Sequence, residues 1–266
     1  MSATTAPMTL DITSTSQVSM SRLVIVEIRK ALDTRAGRWF AASILGLVVV
    51  VEVIWSFAAH DGDRDLRTYL AIAGGTLGYF LPILIIMLVT AEASQRNGLV
   101  TFTLEPRRPR VVGAKLLAGI VLTAGMLVLA VVLALLGTLL GTVRGGPTDW
   151  SVTGHLIGNA LILSQLIGIL VGFALATLIM NTAGAIVAYF AYTFILPVAL
   201  NILSEISEGF GNAVPWFDFN TAQSPLISGD FTPTGTEWLQ ILLTGTIWLI
   251  VPLALGIWRL LRIEFK

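Results

Sequence analysis

From Trp39 onward the chain alternates long apolar runs with short polar ones, and six of the runs are long enough to cross a bilayer as helices. A hydrocarbon core of about 30 Å takes about 20 helical residues, and only a structure that bonds its own backbone can cross it. The runs extend from about Trp39 to Ala59, Thr68 to Thr90, Leu116 to Thr142, His155 to Met180, Gly184 to Leu203 and Trp238 to Trp258. Only Asn181 and Thr182 break the fourth run from the fifth, which predicts a tight helical hairpin there. The expected fold is therefore all-α and membrane-embedded, with six transmembrane helices.

Ahead of the first run, Val24, Ile25, Ile28 and Leu32 recur at helical spacing from about Met20 to Arg35, with Glu27, Arg29, Lys30 and Asp33 on the other side. This predicts an amphipathic helix lying in the membrane interface. The Ser/Thr-rich stretch 1–17 is too poor in apolar residues to offset the entropy of ordering and is expected to be a disordered tail. Residues 18–266 are then a single membrane domain. The first apolar run follows 38 residues and is long enough to span, so it is expected to stay rather than be cleaved as a signal peptide. Between the fifth and sixth runs, the connection from Ser204 to Glu237 carries Phe210, Val214, Trp216, Phe217, Phe219, Leu226, Ile227 and Phe231. Either short helices dipping into the interface or burial against the protein's own surface would account for those side chains.

Composition agrees with this reading: 55% of the 266 residues are hydrophobic and 12% charged, too few charges for a soluble surface. Sixteen basic and sixteen acidic residues cancel, so no basic field points to nucleic acid. Their distribution is uneven. With the amino terminus inside, Arg64, Arg67 and Arg144 are the basic residues left outside, and thirteen of the sixteen lie in the cytoplasm. The positive-inside rule selects that orientation, with both termini cytoplasmic. No cysteine is present to form a disulfide or a thiolate metal site. Two histidines and no H-E-x-x-H leave little material for a membrane enzyme.

Within the spans, Gly74 with Gly78, Gly137 with Gly141 and Gly168 with Gly172 have the four-residue spacing that lets helix backbones approach. Pro82, Pro197 and Pro252 are candidate kinks. Glu52 lies inside the first span, where a carboxylate is costly enough to be a candidate for the substrate pathway. Asn159 and Gln165 in the fourth span, with His155 and Ser164, and Asn201 in the fifth, could add a polar lining; interhelical bonding is the commoner role for such residues.

The connection between the second and third spans, AEASQRNGLVTFTLEPRRPRVVGAK, is more polar and basic than a hairpin needs. Glu92 and Arg96 are four apart, Gly98 can end a helix, and Pro106 and Pro109 restrict a tight basic turn. A protein partner or an anionic lipid surface could use these residues. Here the chain resembles the type-two family of ABC exporter permeases. The likeness rests on Glu92, Gly98, Pro106, Arg107 or Arg108, and Lys115, and on the entry helix, six spans, aromatic connection and short basic tail. The family's acidic residue is usually followed by Gly-Thr, whereas Leu99 follows Gly98 here.

The resemblance implies a permease subunit in a bacterial inner membrane. The 91–115 connection would be a coupling helix, with Glu92, Arg96, Gly98, Glu105, Arg107, Arg108 and Arg110 docking on a separate ABC ATPase subunit present in two copies. A second permease, identical or different, would complete the pathway. No cofactor is expected in this chain, and it carries no G-x-x-x-x-G-K-[ST] loop; ATP and Mg would bind the partner. Small amphiphilic drugs or antibiotics are the expected cargo. An exporter of lipid-linked glycans and an ion-coupled secondary transporter are the alternatives.

Overall fold

The computed structural model describes residues 18–60, 63–94, 107–144, 149–227 and 233–262. Among them there is no strand, and six helices are long and apolar enough to span a membrane. The protein is a multi-pass membrane protein. A helix α1 (Met20–Asp33) precedes the spans α2 (Arg35–Ala58), α3 (Leu66–Ser94), α4 (Arg108–Val143), α5 (Leu156–Ile179), α6 (Thr182–Ile206) and α7 (Gly235–Arg259). Six crossings return the chain to the face from which it set out. We call this the terminal face and the other the opposite face.

The hairpin expected at Asn181 is present. Met180 takes a left-handed conformation (φ 56°), and Asn181 Oδ1 accepts the Gly184 N–H at 2.8 Å to start α6. α4 begins earlier than its apolar run. Pro109, expected to belong to a turn, sits in the first helical turn, where its missing N–H would have had no partner in any case. Lys115 therefore lies on a helix rather than in a connection.

α3 and α5 are the most enclosed spans, and the small residues explain their contact. Gly74, Gly78 and Pro82 of α3 face Leu161, Gln165, Gly168 and Gly172 of α5. A methyl group on Gly172 would stand 2.9 Å from both the Cβ and the carbonyl oxygen of Pro82, so only hydrogen fits there. Gly137 of α4 makes the same kind of room for the Tyr69 ring, 2.7 Å from where its Cβ would be. α7 crosses the α5 end of the hairpin at Gly256, and Arg259 Nη1 donates to the Leu178 carbonyl at 2.8 Å. Many exposed side chains on α2, α4, α6 and α7 are large and apolar, as on Ile54, Val128, Val198 and Leu242, which suits contact with lipid.

Pro197 and Pro252 are accommodated by wider turns. Residues Ala191–Ile195 and Thr246–Ile250 wind as π-helix and end two residues before Pro197 and Pro252. The Leu196 and Val251 N–H groups bond five residues back, to Ala191 and Thr246. The ladder is re-formed around a residue that cannot donate.

In α1, Glu27 does not lie on a water-facing side. It is buried, while Ile25 and Val26 are exposed and Val24, Ile28 and Ala31 pack on the core. The reason is a partner beyond the reach of local periodicity: Glu27 accepts from Lys115 Nζ of α4 at 2.7 Å and from Lys30 Nζ at 2.7 Å. The opposite-face connection settles between the two expectations for its aromatics. Val214, Phe219 and Leu226 are buried in the protein, whereas Phe217 is exposed. The expected tail 1–17 lies outside the described residues.

The α3–α5 contact yields a direct test. Gly172→Leu is expected to cost about 3 kcal/mol by overpacking, lowering the melting temperature in detergent by about 6–10 °C. Gly46→Leu, at a position where an added Cβ meets nothing within 4 Å, should leave it within about 2 °C.

Candidate functional site

A cavity of about 340 Å³ opens between α3, α5, α6 and the connection that leads to α7. α3 contributes Gly74, Gly75, Gly78 and Tyr79; α5 contributes Ser164 and Gln165; α6 contributes Tyr189, Tyr192 and Thr193. From the connection come Asn220 and Gln223. Gly75 lies nine residues into α3 from Leu66, about 13 Å along the axis at 1.5 Å per residue, so the cavity is within the bilayer, in the half nearer the opposite face.

Several of the polar wall residues are held by specific bonds. The glycines of α3 leave backbone carbonyls open to neighbouring helices. Gln165 Nε2 donates to the Gly74 carbonyl at 2.7 Å, and the Tyr189 hydroxyl donates to the Gly78 carbonyl at 3.1 Å. The connection is fixed by Asp218, which is fully buried. Its carboxylate accepts the Asn220 and Thr221 N–H groups at 3.1 Å and the Thr221 hydroxyl at 2.6 Å. Trp248 Nε1 of α7 donates to the Phe217 carbonyl at 2.8 Å, and its ring packs against Tyr192 with centroids 5.0 Å apart. Asn220 and Gln223 are thereby held over the cavity, joined by a Gln223 Nε2 to Asn220 Oδ1 bond of 3.3 Å.

Four atoms in this wall are buried without a hydrogen-bond partner among the described residues: Gln165 Oε1, Gln223 Oε1, Asn220 Nδ2 and Thr193 Oγ1. Leaving such groups unpaired typically costs about 1–3 kcal/mol each. Their convergence on one cavity makes it the candidate binding site.

The residues expected from sequence are only partly gathered. Gln165 and Ser164 line the cavity. Asn159 is half-buried on the π-helical turn that opens α5, Asn201 is exposed on α6, and His155 is exposed. Glu52 belongs to a different cluster between α2, α3 and α4. It is buried, Oε1 lacks a hydrogen-bond partner among the described residues, and its other carboxylate oxygen faces Gly137. One turn along, Ser56 hydrogen-bonds the Tyr69 hydroxyl at 2.6 Å. Tyr79, Tyr189, Tyr192, Asn220 and Gln223 did not stand out in the sequence. The signal available was the pair of tyrosines in the run AYFAYTF and the two amides in DFNTAQ, inside an otherwise aromatic connection.

On the terminal face, Glu92 is in the last turn of α3 and Arg108 in the first turn of α4, while Arg107 is exposed just before it. Arg110 Nη2 donates to the Val18 carbonyl at 2.5 Å, tying the start of α4 to the start of α1. Arg96, Gly98 and Glu105 lie outside the described residues. The Glu27–Lys115 pair sits one further turn along α4.

Compared with protein-family models and with curated proteins, the chain matches none.

Three substitutions probe the buried charges. Lys115→Met leaves Glu27 with Lys30 alone and is expected to cost about 3 kcal/mol. Glu27→Leu with Lys115→Met should restore most of that loss, a double-mutant cycle read from thermal unfolding in detergent. Glu52→Gln, which removes a carboxylate that has no partner at Oε1, is expected to hold the melting temperature or raise it by about 2–4 °C.

Proposed function

We propose that this protein is the membrane-spanning permease subunit of an ATP-driven ABC exporter in a bacterial inner membrane, with its termini in the cytoplasm. The observation that carries the reading is a division of labour along the membrane normal. A strongly basic connection between α3 and α4 stands on the terminal face, and a cavity with unpaired polar groups lies toward the opposite one. The excess of Lys and Arg on the terminal face supports the orientation.

In this reading a separate ATPase subunit, present in two copies and carrying ATP and Mg, docks on the 91–115 connection. The amphipathic α1 lies at the inner interface. Because Glu27 and Arg110 tie α1 to α4, a push on the connection moves both helices together rather than bending one. A second permease, the same chain or another, faces this one across the pathway. Cargo occupies the cavity around Gln165 and is released outward when α6 and the connection move away from the α3–α5 pair. Small amphiphilic drugs or antibiotics suit its size better than a lipid-linked glycan, since about 340 Å³ is near the lower end for ligand pockets.

One observation favours a second reading. A carboxylate oxygen of Glu52, buried inside a span without a partner among the described residues, is what an ion-coupled secondary transporter would use.

Co-expression with the ABC ATPase encoded nearest to it separates the two. The exporter reading expects the ATPase to co-purify in detergent, and recovery to fall about tenfold when Glu92 and Arg107 are both replaced by alanine, a loss near 1.4 kcal/mol. Failure of any ATPase to co-purify, together with uptake or efflux driven by a proton or sodium gradient and lost in Glu52→Gln, would establish the carrier instead.

A further inference from the structure

We propose that the cavity between α3, α5, α6 and the opposite-face connection binds the uncharged, hydrogen-bonding head of an amphiphile that enters sideways from the bilayer. The inference deepens the permease reading and rests on it for the fate of the bound molecule, but binding itself is tested on this chain alone.

The polar atoms specify the head. Gln165 is 2% exposed and Gln223 8%, and Oε1 of each is buried without a partner. The Gln165 amide orientation is fixed because its nitrogen is engaged by the Gly74 carbonyl, which leaves the oxygen for the cavity. Asn220 Nδ2 adds an unsatisfied donor. The wall therefore asks for two donors and one acceptor close together, and the unpartnered Thr193 hydroxyl can meet a further group of either kind. A primary amide supplies these from one planar group, and vicinal hydroxyls supply them from a sugar.

Charge is excluded by the rest of the lining. None of the residues that line the cavity is Asp, Glu, Lys, Arg or His. An ionised head would be desolvated there with no counter-charge in the lining. A neutral head loses only hydrogen bonds to water, which the four atoms replace.

The entrance specifies the rest of the molecule. Gly75 and Tyr79 are exposed on α3 at a depth within the span. Tyr79 begins an aromatic row, stacking on Phe194 at 5.0 Å, which stacks in turn on Phe190 at 5.6 Å. An opening at that depth, bordered by rings, admits a molecule whose apolar part remains among lipid tails or against the aromatics.

The test uses the full chain in phosphatidylcholine nanodiscs, without any ATPase, and the photoreactive probe N-octanoyl-4-benzoylphenylalaninamide. Crosslinks are mapped by mass spectrometry. Labelling is expected in residues 189–193 or 220–223. It should fall at least tenfold in Gly75→Trp, a variant whose new Cβ meets nothing within 4 Å and so does not strain the helix. Gln223→Leu should weaken labelling while the melting temperature stays within a few degrees. Unlabelled N-octanoyl-phenylalaninamide and octyl glucoside compete as the two sources of a neutral head. Competition by either one or both, at least about tenfold better than by N-octanoyl-phenylalanine or the cationic phenylalanine octylamide, upholds the proposal and names the source. Labelling elsewhere, labelling retained in Gly75→Trp, or a charged analogue competing as well as the neutral ones overturns it. Because no ATPase is present, such a failure leaves the permease reading to be judged by co-purification.

Discussion

Hydrocarbon offers no water to complete a hydrogen bond, and this constraint organises the protein. Helices dispose of nearly all backbone groups, so what remains is a short inventory of side chains and displaced carbonyls. Most are paired across helices: Gln165 with Gly74, Tyr189 with Gly78, Ser56 with Tyr69, and Thr90 with Thr182. Against that background an unpaired buried polar atom is conspicuous. Four of them meet in one cavity, while Glu52 stands apart.

Close helix contact is what makes the pairing possible. Without glycine at 74 and 78, the carbonyls of α3 would be shielded by side chains and neither Gln165 nor Tyr189 could reach them. The small-residue stripe thus does two things at once. It sets the α3–α5 distance through Pro82 and Gly172, and it exposes acceptors that orient the polar cavity wall. Stability and site share one surface, so substitutions in the stripe should seldom affect only one of them.

How much of this could be read from the sequence varies with the range of the interaction. The six spans were legible because about 20 apolar residues in a row admit few other structures, and the Asn181 hairpin because a capping residue sat between two such runs. The burial of Glu27 was not legible. Helical periodicity compares a residue with neighbours three and four away, and its decisive partner Lys115 is 88 positions on. The start of α4 was misplaced for a related reason: Pro109 fits a turn and a first helical turn equally well, and only packing on α1 selects the helix. Gln165 was picked out as a polar residue in a span. Asn220 and Gln223 were not, because their position over the cavity depends on Asp218 and Trp248 folding the connection inward.

The exporter reading requires that a displacement at the terminal face reach a cavity near the opposite one, and α3 supplies a physical route. It runs unbroken from Leu66 to Ser94, carrying cavity glycines near one end and Glu92 near the other. Gly78 and Ser94 are 16 residues apart, about 24 Å of helix at 1.5 Å per residue. Pro82 is the weak point on that path, and it is the residue clasped by Gly168 and Gly172 of α5. A pull on α3 is thus not lost in a kink at Pro82 unless α5 moves too. The wall formed by α6 is built differently: Tyr192 and Thr193 stand on the π-helical turn before Pro197, where the hydrogen-bond ladder is already displaced. Motion that α3 and α5 resist as a pair is more cheaply taken up there, so α6 and the connection above it are the wall expected to open.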